Sequence, residues 1–287
     1  MRSWWDSVRE TAGSDDAFMG RTHALSAVAV ILAVFSFAPS LYMAMSGGDG
    51  GYAMLVMFCM VAAGGALLPD LDNTASTAKS SLGVFGTAIS AFMRATSPPI
   101  QELISSKYDR RSTGHEDAHR GFYHTFLSGI LFGALFAFLC SPAISIRVGG
   151  LLINGRLISL LLLFMSVDLA MSALLGEVWK SKRAMDSLVS IIVAFAMSAF
   201  IWYGMGEHGN YTMIGVGLGI GWIIHILGDM FTVSGAPALF PLKIRGKYWY
   251  DIRFLKIKAG GAMENMVFVP LFSLIIIICI VRMILLL

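Results

Sequence analysis

Residues 211–232 read YTMIGVGLGIGWIIHILGDMFT. The run carries no charge before Asp229, and it matches the roughly 20 apolar residues a helix needs to cross the hydrocarbon core of a bilayer. Gly215, Gly217, Gly219 and Gly221 alternate inside it. No strand precedes them, so they are not a phosphate-cradling loop. Glycines at i, i+4 on both faces of an apolar helix predict close approach by its neighbours. Near the end, His225 and Asp229 stand one turn apart with Thr232 at i+7, so all three are expected on one helical face. A His and an Asp so placed can hold one metal ion together, or the carboxylate can orient the imidazole.

The rest of the chain has the same character. Of 287 residues, 56% are hydrophobic and 14% charged, well under the quarter typical of soluble domains. Apolar segments near 24–45, 51–69, 121–140, 157–176, 187–205 and 267–287 bring the expected number of transmembrane helices to about seven, in a single all-α membrane domain over 1–287. Pro39 is expected to kink or end the first. The stretch 80–97 is apolar but interrupted by Ser, Thr, Gly and Arg94, which suits an interfacial or re-entrant helix. The first twenty residues mix Arg2, Asp6, Arg9, Glu10, Asp15 and Asp16, unlike the apolar core of a signal peptide. Cys59, Cys140 and Cys279 lie in apolar runs without CxxC spacing and read as buried packing residues.

Placing the N-terminus on the cytoplasmic side puts every one of the 21 Lys and Arg inside except Arg147, Arg156 and Arg282. That is the positive-inside distribution, and it favours an odd number of spans. The long inside loops are then 70–120 and 232–266, which carry nearly all the polar material for a site. In the second, Tyr248 to Lys258 alternates weakly and predicts a small cytoplasmic hairpin.

The same topology gathers the ionisable residues. His23 opens the first span. Asp70 and Asp72 close the second, in Leu68-Pro69-Asp70-Leu71-Asp72. His115, His119 and His124 lead into the third, and His225 with Asp229 closes the sixth. His208 alone falls outside. Taken singly, each reads as a cap or an interfacial residue. Taken together at one depth they read as a metal or catalytic site, because ionisable groups at membrane depth are costly. Imidazole with carboxylate suits zinc first, and manganese or iron as alternatives. An open coordination position would hold a water of lowered pKa, the usual route to hydrolysis at neutral pH. Asp168, within the fourth span, is either a partner of that site or part of a polar pathway. Glu177 reads as a surface charge, and Glu264 as either ligand or surface. Arg110, Arg111, Arg120 and the basic residues of 243–258 form a cationic rim. It follows from the positive-inside bias or serves anionic headgroups and phosphate-bearing substrates. With no compact basic domain, nucleic acid is not an expected partner.

Arg21-Thr22-His23, Leu68-Pro69-Asp70-Leu71-Asp72, His119-Arg120-Gly121-Phe122-Tyr123-His124-Thr125 and His225-x-x-x-Asp229-x-x-Thr232, with Gly235 and Pro241, resemble the YdjM-like family over about residues 20–245. Its members are inner-membrane proteins described as metal-dependent hydrolases, some under LexA control. Thr22-His23 and His225-x-x-x-Asp229 are also similar, more distantly, to the zinc-dependent phospholipase C group. The insert 73–118 and the extra His115 depart from the family pattern. The resemblance implies a metal site, a hydrolase of phospholipase or phosphodiesterase type, and the cytoplasmic membrane of a bacterium or archaeon. It leaves the substrate open.

The reading carried forward is a membrane-embedded metal-dependent hydrolase of a lipid or phosphate ester, with membrane lipids as its surroundings. His23, Asp70, His124, His225 and Asp229 are the expected ligands. Asp70 and Asp72 would divide ligand and general-base roles. His119 would be a further ligand or an acid, and Arg120 would steady a phosphate or oxyanion. The rival is a transporter or channel for a metal ion or an anion. Asp168 favours it, and the sparse outer loops oppose it.

Overall fold

The computed structural model describes residues 19–46, 51–73, 79, 81–109, 121–175, 183–206 and 209–286. It is mostly helical. Helix α1 (Gly20–Phe37) stops at Ala38, and α2 (Pro39–Met45) starts on Pro39, whose missing N–H is harmless at a helix start. Then come α3 (Tyr52–Gly65), running through a tight turn into the 3-10 segment Pro69–Asp72, and α4 (Gly83–Leu103). The 3-10 turn Phe122–His124 leads into α5 (Phe126–Leu139). Strands β1 (Ser145–Val148) and β2 (Leu151–Asn154) precede α6 (Gly155–Leu175), α7 (Arg183–Met205) and α8 (Thr212–Asp229). A π turn, Glu264–Phe268, opens α9 (Val269–Leu286).

Each of the seven apolar segments is largely helical, but among the described residues five helices are long and apolar enough to cross a membrane: Gly20–Phe37, Tyr52–Asp72, Gly155–Leu175, Thr212–Asp229 and Glu264–Leu285. In the other two, α5 (Phe126–Leu139) and the apolar part of α7, Val189–Met205, are shorter. The Tyr52–Asp72 span is 78% buried and Glu264–Leu285 11%. So α3 is the centre of the bundle, touching α1, α6, α7 and α8, while α9 leans on α1 from outside.

The alternating glycines of α8 do what their spacing predicts. On one face, a Cβ at Gly215 would sit 2.0 Å from the Ala137 nitrogen and one at Gly219 2.8 Å or less from the Gly133 Cα, so these glycines let α5 touch backbone to backbone. On the other, a Cβ at Gly221 would sit 2.1 Å from the Ala62 carbonyl oxygen of α3. Both neighbours are thus held at the distance that small residues permit and larger ones forbid.

Helix α4 is the segment expected as interfacial or re-entrant. It runs further than 80–97 and passes through Pro98 and Pro99 without ending. Its buried stripe is small and polar (Gly86, Ser90, Ser97, with Met93), whereas Val84, Phe85 and Phe92 are exposed. The helix packs on the Pro69–Asp72 and Phe122–His124 turns.

The hairpin expected at 248–258 is not there. The backbone of this stretch pairs with the end of α8 instead: Phe254 N–H donates to the Met230 carbonyl (2.7 Å), Ile257 N–H to Phe231 (3.0 Å), and Ile252 and Ala236 exchange bonds (2.9 and 3.3 Å). The regular hairpin is β1–β2, paired from Ser145↔Asn154 to Val148↔Leu151. Gly149 and Gly150, at φ 56° and 87°, make the two-residue turn. Two successive positive-φ residues suit the right-handed twist of the flanking strands.

The two long loops are stitched together by one buried carboxylate. Asp109 accepts from the backbone N–H groups of Ser106 (2.7 Å), Tyr248 (3.2 Å) and Trp249 (3.1 Å). Trp249 Nε1 donates to the Ile104 carbonyl at 2.8 Å. Burial would raise the Asp109 pKa, but the Ser106, Trp249 and Tyr248 N–H groups outweigh it and hold it below the ordinary carboxylate value. A folded pKa below the unfolded one gives stability that is present above the unfolded pKa and lost as pH falls through the folded one. The protection factors at 246–250, taken against the intrinsic exchange rate at each pH, are therefore expected to fall in that acid window, and Asp109→Asn to show low protection at every pH. Protection unchanged by either would remove Asp109 from this role.

Candidate metal centre

Four chain segments end at one place. The first turn of α1 supplies His23, the Pro69–Asp72 turn Asp70, the Phe122–His124 turn His124, and the last turn of α8 His225 and Asp229. His23, His124, His225 and Asp229 are completely buried, and the Asp70 side chain is 15% exposed. Nε2 of His23 lies 3.5 Å from Asp229 Oδ1, and Nε2 of His124 3.7 Å from Oδ2 of the same carboxylate. Nε2 of His225 lies 3.4 Å from Asp229 Oδ2 and 3.6 Å from Asp70 Oδ1, which is also 3.6 Å from His124 Nε2. The His23 and His225 rings stack with centroids 3.9 Å apart.

Two overlapping groups could hold an ion, His23 with His225 and Asp229, and Asp70 with His124 and His225. The separations fit one. Ligand atoms at ~2.1 Å from a tetrahedral zinc stand ~3.4 Å from each other, as simple geometry on the usual bond lengths requires. The shortest separation found is 3.4 Å. Direct charge-assisted hydrogen bonds would be nearer ~2.8 Å.

His225 has its tautomer fixed. Its Nδ1 lies 2.8 Å from the Ala66 carbonyl oxygen, which can only accept, so Nδ1 carries the proton. Nε2 is then the nitrogen turned toward the two carboxylates, 3.6 Å from Asp70 Oδ1 and 3.4 Å from Asp229 Oδ2. A backbone carbonyl on the far nitrogen is the usual support of a metal-ligating imidazole.

The surroundings position these groups. Thr125 caps α5 by accepting from Ser128 N–H at 3.1 Å, directly after His124. Trp222 Nε1 donates to the Tyr123 carbonyl at 2.7 Å, tying α8 to the His124 turn. Helix α8 ends at Asp229, so Thr232 lies beyond it rather than on its face, and its hydroxyl donates to the Asp229 carbonyl at 2.8 Å. Glu264, undecided from the sequence, is wholly buried and caps α1. It accepts from Met19 N–H at 2.8 Å, from the Thr22 hydroxyl, and from Gly260 N–H at 2.7 Å. A carboxylate also favours the positive end of a helix. Since Thr22 precedes His23, Glu264→Ala is expected to weaken metal affinity about tenfold, the low end of what outer partners cost. Competition against a chelator reads this out, and unaltered affinity would make Glu264 only a structural cap.

Of the other candidates, Asp72 is buried on the turn that carries Asp70 but belongs to neither metal-holding group. His119, Arg120, His115, Arg110, Arg111, Glu177 and His208 lie outside the described residues. Asp168 is buried in α6 and accepts from the Ser190 hydroxyl of α7 at 3.3 Å. Sequence reasoning missed the Ala66 carbonyl and Asp109. The first is a backbone group with no residue signature. The second reads as one more loop acid until its three N–H donors are seen.

The chain belongs to the YdjM inner membrane protein family, whose model matches residues 18–176 and 190–286. No curated protein and no solved structure matches it.

Proposed function

We propose that this YdjM-family membrane protein is a metal-dependent hydrolase whose site lies at the cytoplasmic end of the bundle and acts on a lipid or phosphate ester. The observation that carries the reading is the convergence of three buried imidazoles and two carboxylates from four chain segments at 3.4–3.7 Å. Burying that many ionisable groups at membrane depth costs free energy that packing alone does not require. His23, His124, His225, Asp229 and Asp70 would hold the ion, with zinc the best match to the donor set. Such an ion supplies Lewis acidity and a nucleophilic water at neutral pH. Asp72, next to Asp70 on the same turn, would take the water's proton. His119 would serve as a ligand or an acid, and Arg120 would steady a phosphoryl oxygen.

A lipid substrate is supported by the surface beside the site. In the loop after α8, Leu242, Phe254 and Leu255 are exposed among the exposed cations Lys243, Arg253 and Lys256. Exposed apolar side chains flanked by Lys and Arg suit an anionic headgroup region. The orientation with the N-terminus inside rests on the charge asymmetry of the loops. Asp168, the residue that favoured transport, is answered by Ser190 within the α6–α7 pair.

The test uses the full chain in liposomes, loaded with zinc or manganese, with phospholipid and phosphodiester substrates followed by mass spectrometry. Product that appears with metal and disappears with chelator supports the reading. Metal-dependent ion flux without product would replace it with transport.

A further inference from the structure

One carboxyl inside the α6 span stands apart from the His/Asp group. Asp168 is 3% exposed, and Val167, Leu169 and Ala170 beside it are at most 1% exposed. The other charged residue of α6, Arg156, is at the far end of the helix, about 18 Å away. Ser190 of α7 answers Oδ1 of the carboxylate at 3.3 Å. Among the described residues no cation pairs with Asp168, and no donor meets Oδ2. A carboxylate at membrane depth is costly unless something positive joins it.

Two hydroxyls converge on this group. Other serines of the apolar helices bond the carbonyl four residues back: Ser159 to Gly155 (2.7 Å), Ser166 to Leu162 (2.5 Å) and Ser273 to Val269 (2.8 Å). Ser172 and Ser190 do not. Ser172 follows Asp168 by one turn of α6 and so shares its face. Its Oγ lies 3.3 Å from Ser190 Oγ, which is itself 3.3 Å from Asp168 Oδ1. Direct hydroxyl hydrogen bonds run at about 2.7–2.8 Å. These oxygens are spaced more widely, as ligands around an ion are. Oxygens ~2.4 Å from a Ca²⁺-sized ion stand ~3.4 Å apart when they subtend a right angle.

Size and charge together select the ion. Mg²⁺, with its shorter bonds, would draw the oxygens to ~2.9 Å, and K⁺ would push them apart. Ca²⁺ and Na⁺ are close in size and fit the spacing. One carboxylate with no described partner charge is neutralised by a single positive charge. A divalent ion would leave net charge buried in apolar surroundings. We infer that Asp168, Ser172 and Ser190 bind a sodium ion that fastens α7 to α6. Ser172 and Ser190 are half-buried, and Ser172 lies within a turn of the end of α6. The ion and the waters that complete its shell enter from that end. The inference stands apart from the hydrolase reading, since the two sites share no residue.

The test follows thermal unfolding of the full chain in detergent, with a chelator keeping the His/Asp group free of divalent metal. Sodium chloride replaces choline chloride at constant ionic strength. The midpoint is expected to climb by several degrees, logarithmically once sodium passes its Kd, as for any ligand that binds only the folded chain. Potassium should produce no such climb. Asp168→Asn keeps the size of the side chain and removes its charge, and it should lose the response. Ser190→Ala is read if Asp168→Asn fails to fold. It should move the climb to at least about tenfold higher sodium, the cost of losing even an outer partner of a bound metal. His225→Ala should keep the response. No climb in sodium, or an equal one in potassium, would overturn the inference. So would a sodium response that persists in Asp168→Asn, or one lost in His225→Ala, which would put the ion in the His/Asp group.

Discussion

Chain purified without chelator is expected to carry divalent metal in stoichiometric amount, and His225→Ala to carry almost none. His225 Nε2 is common to both groups of donor atoms, 3.4 Å from Asp229 and 3.6 Å from Asp70, so its loss disables each at once. Removing an outer partner of a metal ligand typically costs 10–100-fold in affinity, and removing a direct ligand should cost more than about 100-fold. Asp229→Ala should match it, because its two oxygens face His23 on one side and His124 and His225 on the other. Both variants should still insert, since neither residue takes part in the apolar packing that holds α8 between α3 and α5. Elemental analysis of the three proteins is the measurement. Full metal content in His225→Ala would sink the site as drawn here. No metal in the unaltered chain, and none taken up on addition, would sink the metallohydrolase reading as a whole.

The His/Asp group was legible in the sequence because two periodicities coincide. Apolar length fixes where each span ends, and the residues at four such ends are His23, Asp70, His124 and the His225–Asp229 pair. The glycine alternation of α8 was legible for a similar reason, since i, i+4 spacing on two faces has few other uses in an apolar helix. Helix α4 was legible only in part. Its apolar residues face outward and its small polar ones inward, so composition marked it as a membrane-associated segment but did not say that it packs on the turns bearing Asp70 and His124. The loop after α8 was misread because strand alternation in Tyr248–Lys258 says nothing about partner choice. Its pairing with residues 230–236 is a tertiary fact, and Gly149-Gly150 was the stronger hairpin signal. The Ala66 carbonyl could not have been read at all.

Gly221→Val is expected to empty the same site without touching a ligand. A Cβ there would meet the Ala62 carbonyl oxygen at 2.1 Å and the Ala66 nitrogen at 2.8 Å. Both are backbone atoms, one within α3 and one at its C-cap, and cannot rotate away, so α3 and α8 must separate by more than 1 Å to reach ordinary contact. Overpacking a core costs about 1–3 kcal/mol, and backbone-limited sites fall at or above the top of that range. The displacement also reaches the chemistry. Ala66 is the residue whose carbonyl holds His225 Nδ1 at 2.8 Å, and Asp70 follows it by one turn. Moving α3 therefore frees the His225 ring and withdraws Asp70 together. Gly217→Ala is the control. Its Cβ would meet side-chain atoms alone, Val61 from 3.0 Å and Phe58 at 4.0 Å, which can shift, while Ala gains up to about 1 kcal/mol of helix propensity over Gly. Thermal unfolding in detergent with metal analysis on the same samples separates the two. Gly221→Val should unfold earlier and lose metal, and Gly217→Ala should match the unaltered chain in both. Retention of metal in a folded Gly221→Val would mean that the His225–Ala66 bond does not organise the site.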